Sequence, residues 1–262
     1  MSTKKEYNFR YFKNYFPKWK YQKDAWISHY LYRPISFYIA SIAVKMGLSA
    51  NDVSLISLIV AIAASGLYFT DSCWLYVVGA LLVNFWLTLD CSDGNIARCV
   101  KKEPFGEFVD ALSSYILVNL LFFGVGLAVY RTGGFLIPAG QWQLLLLGGF
   151  TGASDSLGRL IFQKYENVRQ KQSEAVIAYS AVRENTEKMA EKKNFSLVYI
   201  HDRMDAELGA GGIMGLVLLF CSSFHCLDIF LLFYMTFYIG TFILELIYLI
   251  RKARYSDIVK GE

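Results

Sequence analysis

The chain is short of charge. Only 18% of its 262 residues are Asp, Glu, Lys or Arg, where a soluble domain carries about 25%. Hydrophobic residues make up 55% and are gathered in long runs. Runs of roughly 18 or more apolar residues read as membrane spans, so a soluble globular domain is set aside. The first 25 residues are basic and aromatic, with no apolar core leading to a small-residue cleavage site, and no secretory signal peptide is expected. No CxxC occurs among Cys73, Cys91, Cys99, Cys221 and Cys226. Free thiols packed in or near helices are the expected state, with Cys73 and Cys226, both in turns on one side, the pair that a bridge could join. There is no internal repeat and no low-complexity tract, and no nucleic-acid partner is expected.

What is present is six apolar stretches: Val53–Thr70, Trp74–Leu89, Ala111–Tyr130, Phe135–Ala153, Leu208–Leu227 and Ile229–Ile250, the last interrupted only by Glu245. At about 1.5 Å per residue each spans, or nearly spans, a hydrocarbon core of about 30 Å. Helices are the expected form because they satisfy their own backbone polar groups. All of the 26 Lys and Arg residues except Arg131 fall before the first stretch, between the second and third, between the fourth and fifth, or in the tail. The positive-inside rule then places both termini in the cytoplasm.

The expected fold is an all-α integral membrane protein with six transmembrane helices, multi-pass in a bacterial cytoplasmic membrane. Residues 1–50 form a basic, aromatic segment whose apolar stretch Pro34–Val44 is too short to span. It is read as one or two amphipathic helices in the membrane interface, or as a basic tail held to anionic lipid by charge. Residues 51–251 form the six-helix domain and 252–262 a cytoplasmic tail. About 163–207 is a polar cytoplasmic insertion in which Ala175, Ala178, Tyr179 and Val182 have helical spacing. Gly209, Gly211, Gly212 and Gly215 allow the fifth span to pack closely, within the chain or in a homodimer.

Ionisable groups near membrane depth are costly and mark function. Asp90, Asp93 and Ala97 share one face of the helix that ends the second span. Asp110 and Ser114 are four apart at the start of the third. The connection is short, so the two helices are antiparallel neighbours, and Asp90, Asp93 and Asp110 can converge at the cytoplasmic edge. Three carboxylates in close company force protons onto some of them unless a cation intervenes. Hard carboxylate oxygens suit Mg²⁺ or Mn²⁺, with positions left open for substrate phosphate. Gly94 and Gly106 leave room for a ligand near the backbone, and Arg98 supplies a planar fork for a diphosphate. The bland alternative is a set of solvated helix-end charges. Asp155 and Arg159 are four apart, which reads either as an intrahelical ion pair or as an acceptor site, with Arg159 on a phosphate and Asp155 as a substitute acid or base. Glu107 reads as a helix-start anion or an alternative base, and the group from His201 to Glu207 as a solvated helix end.

In order and spacing, Asp90, Asp93, Gly94, Ala97, Arg98, Gly106 and Asp110 resemble the signature of the CDP-alcohol phosphotransferase (CDP-alcohol phosphatidyltransferase) family. Arg33-Pro34-Ile35-Ser36 and Gly47 to Leu55 are similar to its interfacial helix and the start of its first span. The resemblance covers about Asp24 to Arg159, and the later spans in topology alone. It implies transfer of a phosphoalcohol group, usually phosphatidyl, from a CDP-linked donor such as CDP-diacylglycerol to an acceptor alcohol or polyol phosphate, with release of CMP. It implies Mg²⁺ or Mn²⁺ on Asp90, Asp93 and Asp110, and the donor's diphosphate on Asp93, Gly94, Ala97, Arg98 and Gly106. The departure is Ser114, where the family has a last aspartate that helps hold a second metal and is the proposed general base. Three explanations stand: a base from elsewhere, a silenced form (natural or engineered), or an acceptor already anionic. The rival expectation is a relative that binds CDP-lipid without turnover. A transporter would need ionisable groups deep in several spans or a repeated half, and neither is seen.

Overall fold

The computed structural model describes residues 7–180 and 197–260, with side chains described except at 22–23, 173–202 and 255–260. The helices in chain order are α1 (Phe9–Tyr15), α2 (Lys18–Lys23), α3 (Arg33–Lys45, entered through a π turn at Ser28–Tyr32), α4 (Ala50–Gly66), α5 (Cys73–Cys99), α6 (Gly106–Thr132), α7 (Gln143–Ser180), α8 (Leu197–Leu208), α9 (Met214–Ser223) and α10 (Leu227–Lys260). No strand occurs among the described residues. Among the described residues four stretches are long and apolar enough to cross a membrane: Ala50–Phe69, Cys73–Cys99, Gly106–Thr132 and Leu227–Arg254. The chain is an all-helical membrane protein.

Local chemistry sets several boundaries. Ser49 and Asp52 form a reciprocal cap at the start of α4: the Asp52 N–H donates to Ser49 Oγ at 3.2 Å, and the Ser49 N–H to Asp52 Oδ2 at 2.8 Å. Two otherwise orphaned donors are satisfied at once. α6 stops at Gly133, which takes a φ of 71° that a glycine adopts without steric cost.

Two expected helices differ. The stretch from Phe135 is not helical until α7 begins at Gln143; residues 133–142 make a turn containing Gly134, Pro138 and Gly140. Asp228, fully buried in the first turn of α10, fixes that turn by accepting the N–H groups of Phe135, Leu136 and Ile137 at 3.1, 2.6 and 2.9 Å. The run from Leu208 to Leu227 is likewise interrupted. α8 ends at Leu208, a turn passes through Gly209, Gly211 and Gly212, and α9 holds 10 residues. Each helical glycine costs about 1 kcal/mol relative to alanine, so this cluster breaks a helix that hydropathy alone would continue. The expected insertion begins as a continuation of α7 to Ser180, while Val182 lies outside the described residues.

α5 and α6 each pack on α4, α6 also on α7, α7 on α10, α9 on α5 and α3 on α5. Trp86, Leu117, Leu121, Phe122, Met214 and Tyr234 fill the shared core. Gly152 sits where an added Cβ would lie 2.9 Å from Asn119 Cα, so α6 and α7 approach at backbone distance. Gly215 makes room for the side chain of Asn84 on α5, whose Nδ2 donates to the Gly215 carbonyl at 2.8 Å, a contact made within the chain. Phe12, Phe16 and Phe37 of the N-terminal segment pack with Val53, Leu89 and Ile96 beside the ends of α4 and α5. The opposite face of α3 leaves Ile35, Tyr38 and Ile42 uncovered. All five cysteines are free thiols.

Candidate functional site

The site lies where α5 ends and α6 begins. The carboxyl groups of Asp90 and Asp110 are within hydrogen-bonding reach of each other across the antiparallel pair, with Asp93 beside them. Asp93 is buried, and its Oδ2 accepts the Ser54 hydroxyl from α4 at 2.5 Å. Asp90 is half-buried and Asp110 exposed. Among the described residues no Lys, Arg or His nitrogen forms an ion pair with any of the three. Nor do these residues contain a ready-made group of three or more His, Cys, Asp or Glu ligands. Two facing carboxylates with no ion-paired partner among the described residues nevertheless make a hard oxygen donor set, and that chemistry fits a divalent cation.

The other residues of the motif have distinct surroundings. Arg98 folds back over Gly94, where any Cβ would collide with its guanidinium. Its Cζ also lies 5.5 Å from the centre of the Phe16 ring, and it makes no ion pair among the described residues. Ala97 packs against the N-terminal aromatic cluster. A Cβ on Gly106 would lie 3.3 Å from Asn51 Oδ1, so this glycine admits the first turn of α4. Asn51 Nδ2 donates in turn to the Pro104 carbonyl at 3.1 Å, pinning the α5–α6 connection. Glu107 pairs with Lys102 at 2.8 Å on the surface at the start of α6.

Ser114 is brought together with the pair from α7. Arg159 Nη1 donates to Ser114 Oγ at 2.8 Å, while Nη2 and Nε donate to Asp155 Oδ1 at 2.9 and 3.2 Å. Asp155 is buried, and its Oδ2 has no hydrogen-bond partner. An orphaned buried carboxylate oxygen is costly.

Sequence reasoning missed the polar side chains that hold these helices in register. Trp86 Nε1 donates to Ser113 Oγ at 2.8 Å, Ser113 and Ser57 lie 3.0 Å apart, and the Ser57 hydroxyl donates to the Ser54 carbonyl at 2.7 Å. An indole N–H can only donate, so Ser113 accepts from Trp86 and passes its own proton to Ser57. The chain ties α5 to α6 to α4 at the level of the carboxylates. Arg33, also buried, is locked by Asp24 at 2.7 Å, by Asn95 Oδ1 at 2.9 Å and by the Cys91 carbonyl at 3.3 Å. The available signal was position: Trp86 lies one turn before Asp90 and Ser113 one turn after Asp110, a spacing that puts them on neighbouring surface.

Compared with known proteins, the chain matches no protein-family model and no curated protein.

Proposed function

We propose that this chain is a membrane-embedded, metal-dependent transferase of the CDP-alcohol phosphotransferase type. It moves a phosphoalcohol group, phosphatidyl in the first instance, from a CDP-linked donor such as CDP-diacylglycerol to an acceptor alcohol, and CMP leaves. The observation that carries this reading is the approach of Asp90 to Asp110 between α5 and α6, with Asp93 beside them and no ion pair to any of the three among the described residues. In this reading the N-terminal part of α7 and the stretch from Gly209 to Cys226, of which α9 is the helical part, complete six crossings, both termini face the cytoplasm, and the N-terminal helices lie in the interface. The site thus opens where a lipid donor and a water-soluble acceptor can meet.

Held by Asp90, Asp93 and Asp110, Mg²⁺ or Mn²⁺ would neutralise charge on the donor's diphosphate and on the departing CMP. Arg98, in no ion pair among the described residues, turns from Gly94 to the diphosphate as a planar donor fork. The acceptor's hydroxyl oxygen forms a bond to the phosphorus that carries the alcohol group, and the bond from that phosphorus to the CMP oxygen breaks. The acceptor's proton passes to a carboxylate, and Asp110, exposed at the start of α6, is the one an incoming acceptor meets first. Arg159, with its side chain 32% exposed, is placed to hold an anionic acceptor. The unpartnered Oδ2 of Asp155 is a second candidate base.

One observation favours a second reading. The side chain at position 114 is a hydroxyl already engaged by Arg159, and a hydroxyl is a poor base near neutral pH, which fits a relative that binds CDP-lipid without turnover. The experiment is CMP release by the protein in lipid, with CDP-diacylglycerol, Mg²⁺ or Mn²⁺ and a panel of acceptor alcohols, beside Ser114→Asp. Acceptor-dependent release by the unaltered chain is the expected result. Release only after Ser114→Asp would establish the silent reading, and release from neither would overturn the transferase.

A further inference from the structure

Arg159 is anchored, not loose. Its guanidinium holds Asp155 Oδ1 through two nitrogens and Ser114 Oγ through the third. Asp205 of α8 and Tyr238 of α10 also face it, and its Cζ lies 5.9 Å from the centre of the Tyr115 ring. A guanidinium keeps its charge at any working pH. Ser114 stands one turn beyond Asp110 on α6, a spacing of about 6 Å between neighbouring side chains. A fixed positive charge therefore borders the carboxylate cluster on its α7 side. On that side α6 offers a hydroxyl, a weak ligand for a hard divalent cation, in place of a carboxylate.

We infer that the site takes a single divalent cation, on Asp90, Asp93 and Asp110, and that the Arg159 guanidinium held at Ser114 excludes a second. Three carboxylates balance one divalent ion with a negative charge to spare. A second ion would leave the cluster net positive against Arg159, and would find Asp155 with its Oδ1 already on the arginine and only its buried Oδ2 left. The inference rests on the metal-dependent reading above and deepens it: fixed guanidinium groups and one exchangeable metal share the work of charge neutralisation.

The experiment counts Mn²⁺ bound to purified protein in lipid nanodiscs, without donor, by the loss of the free-ion electron paramagnetic resonance signal and by calorimetry. The unaltered chain is expected to bind about one Mn²⁺, and Ser114→Asp also about one, because the new carboxylate is neutralised by Arg159. The double change Ser114→Asp with Arg159→Gln is expected to bind about two. Two ions on the unaltered chain, or a double variant that elutes as a single species yet still binds one, would overturn the inference while leaving the metal reading intact. No bound Mn²⁺ on the unaltered chain would overturn the metal reading and the inference with it. Two ions on the unaltered chain would overturn the inference even where a variant fails to fold.

Discussion

Acids stand at both ends of α6, and they are treated in opposite ways. Beyond its C-terminus Asp228 is fully enclosed and accepts three backbone N–H groups. At its N-terminus Asp110 faces Asp90, and neither is paired with a cation among the described residues. A carboxylate whose oxygens are saturated by fixed donors is a structural fastener with no capacity for a ligand. Carboxylates left facing each other store repulsion that only a proton or a cation relieves. The contrast separates function from architecture more sharply than acidity or depth alone.

The largest expected effect tests that separation. Asp90→Asn is expected to lower metal-dependent CMP release by at least about 100-fold, while the melting temperature in detergent holds or rises because a like-charge contact is removed. A fall in melting temperature with activity retained would make Asp90 a structural acid like Asp228. Asp228→Ala is expected to do the reverse. It orphans three N–H groups, at about 1–3 kcal/mol each where they stay buried, so unfolding should be easier by about 3–5 kcal/mol, with CMP release per folded molecule little changed. Gly134→Ala approaches the same fastener from the other side, since its Cβ would collide with the Asp228 carboxyl. A loss of about 1–3 kcal/mol is expected from such overpacking. The smallest effect belongs to the register chain. Ser113→Ala leaves the Trp86 N–H without a partner and should cost about 1–2 kcal/mol. Adding Trp86→Phe should recover part of that loss, and a double-mutant cycle with no coupling would dismiss the chain as an energetic unit.

Much of this was legible in the residues. The apolar lengths of α4, α5, α6 and α10 announced themselves, as did the continuation of α5 into polar sequence and the antiparallel approach of Asp90 to Asp110. The illegible parts share a physical cause. Hydropathy sees the apolar residues of 135–142 and 208–213 but not the glycines and proline that deny them a helix, nor Asp228 more than 90 residues away, which makes a non-helical path stable. At the site, the pairing of Asp155 with Arg159 was readable at i, i+4, whereas the reach of Arg159 to Ser114 depends on how closely α6 and α7 approach at Gly152. Tertiary packing decided those contacts, and local spacing carries no record of it.

The Asp228 fastener also imposes an order on biogenesis. The amides of residues 135–137 are made some 91 to 93 residues before the carboxylate that receives them. At a synthesis rate of about 5–20 residues per second, roughly 5–20 s separate the two. During that interval the hairpin between α6 and α7 must keep its amides in water or in the insertion machinery. The arrival of α10 draws them in, so this helix acts as a keystone: the helices before it can enter the bilayer one after another, but this face of the bundle locks only when α10 is in place.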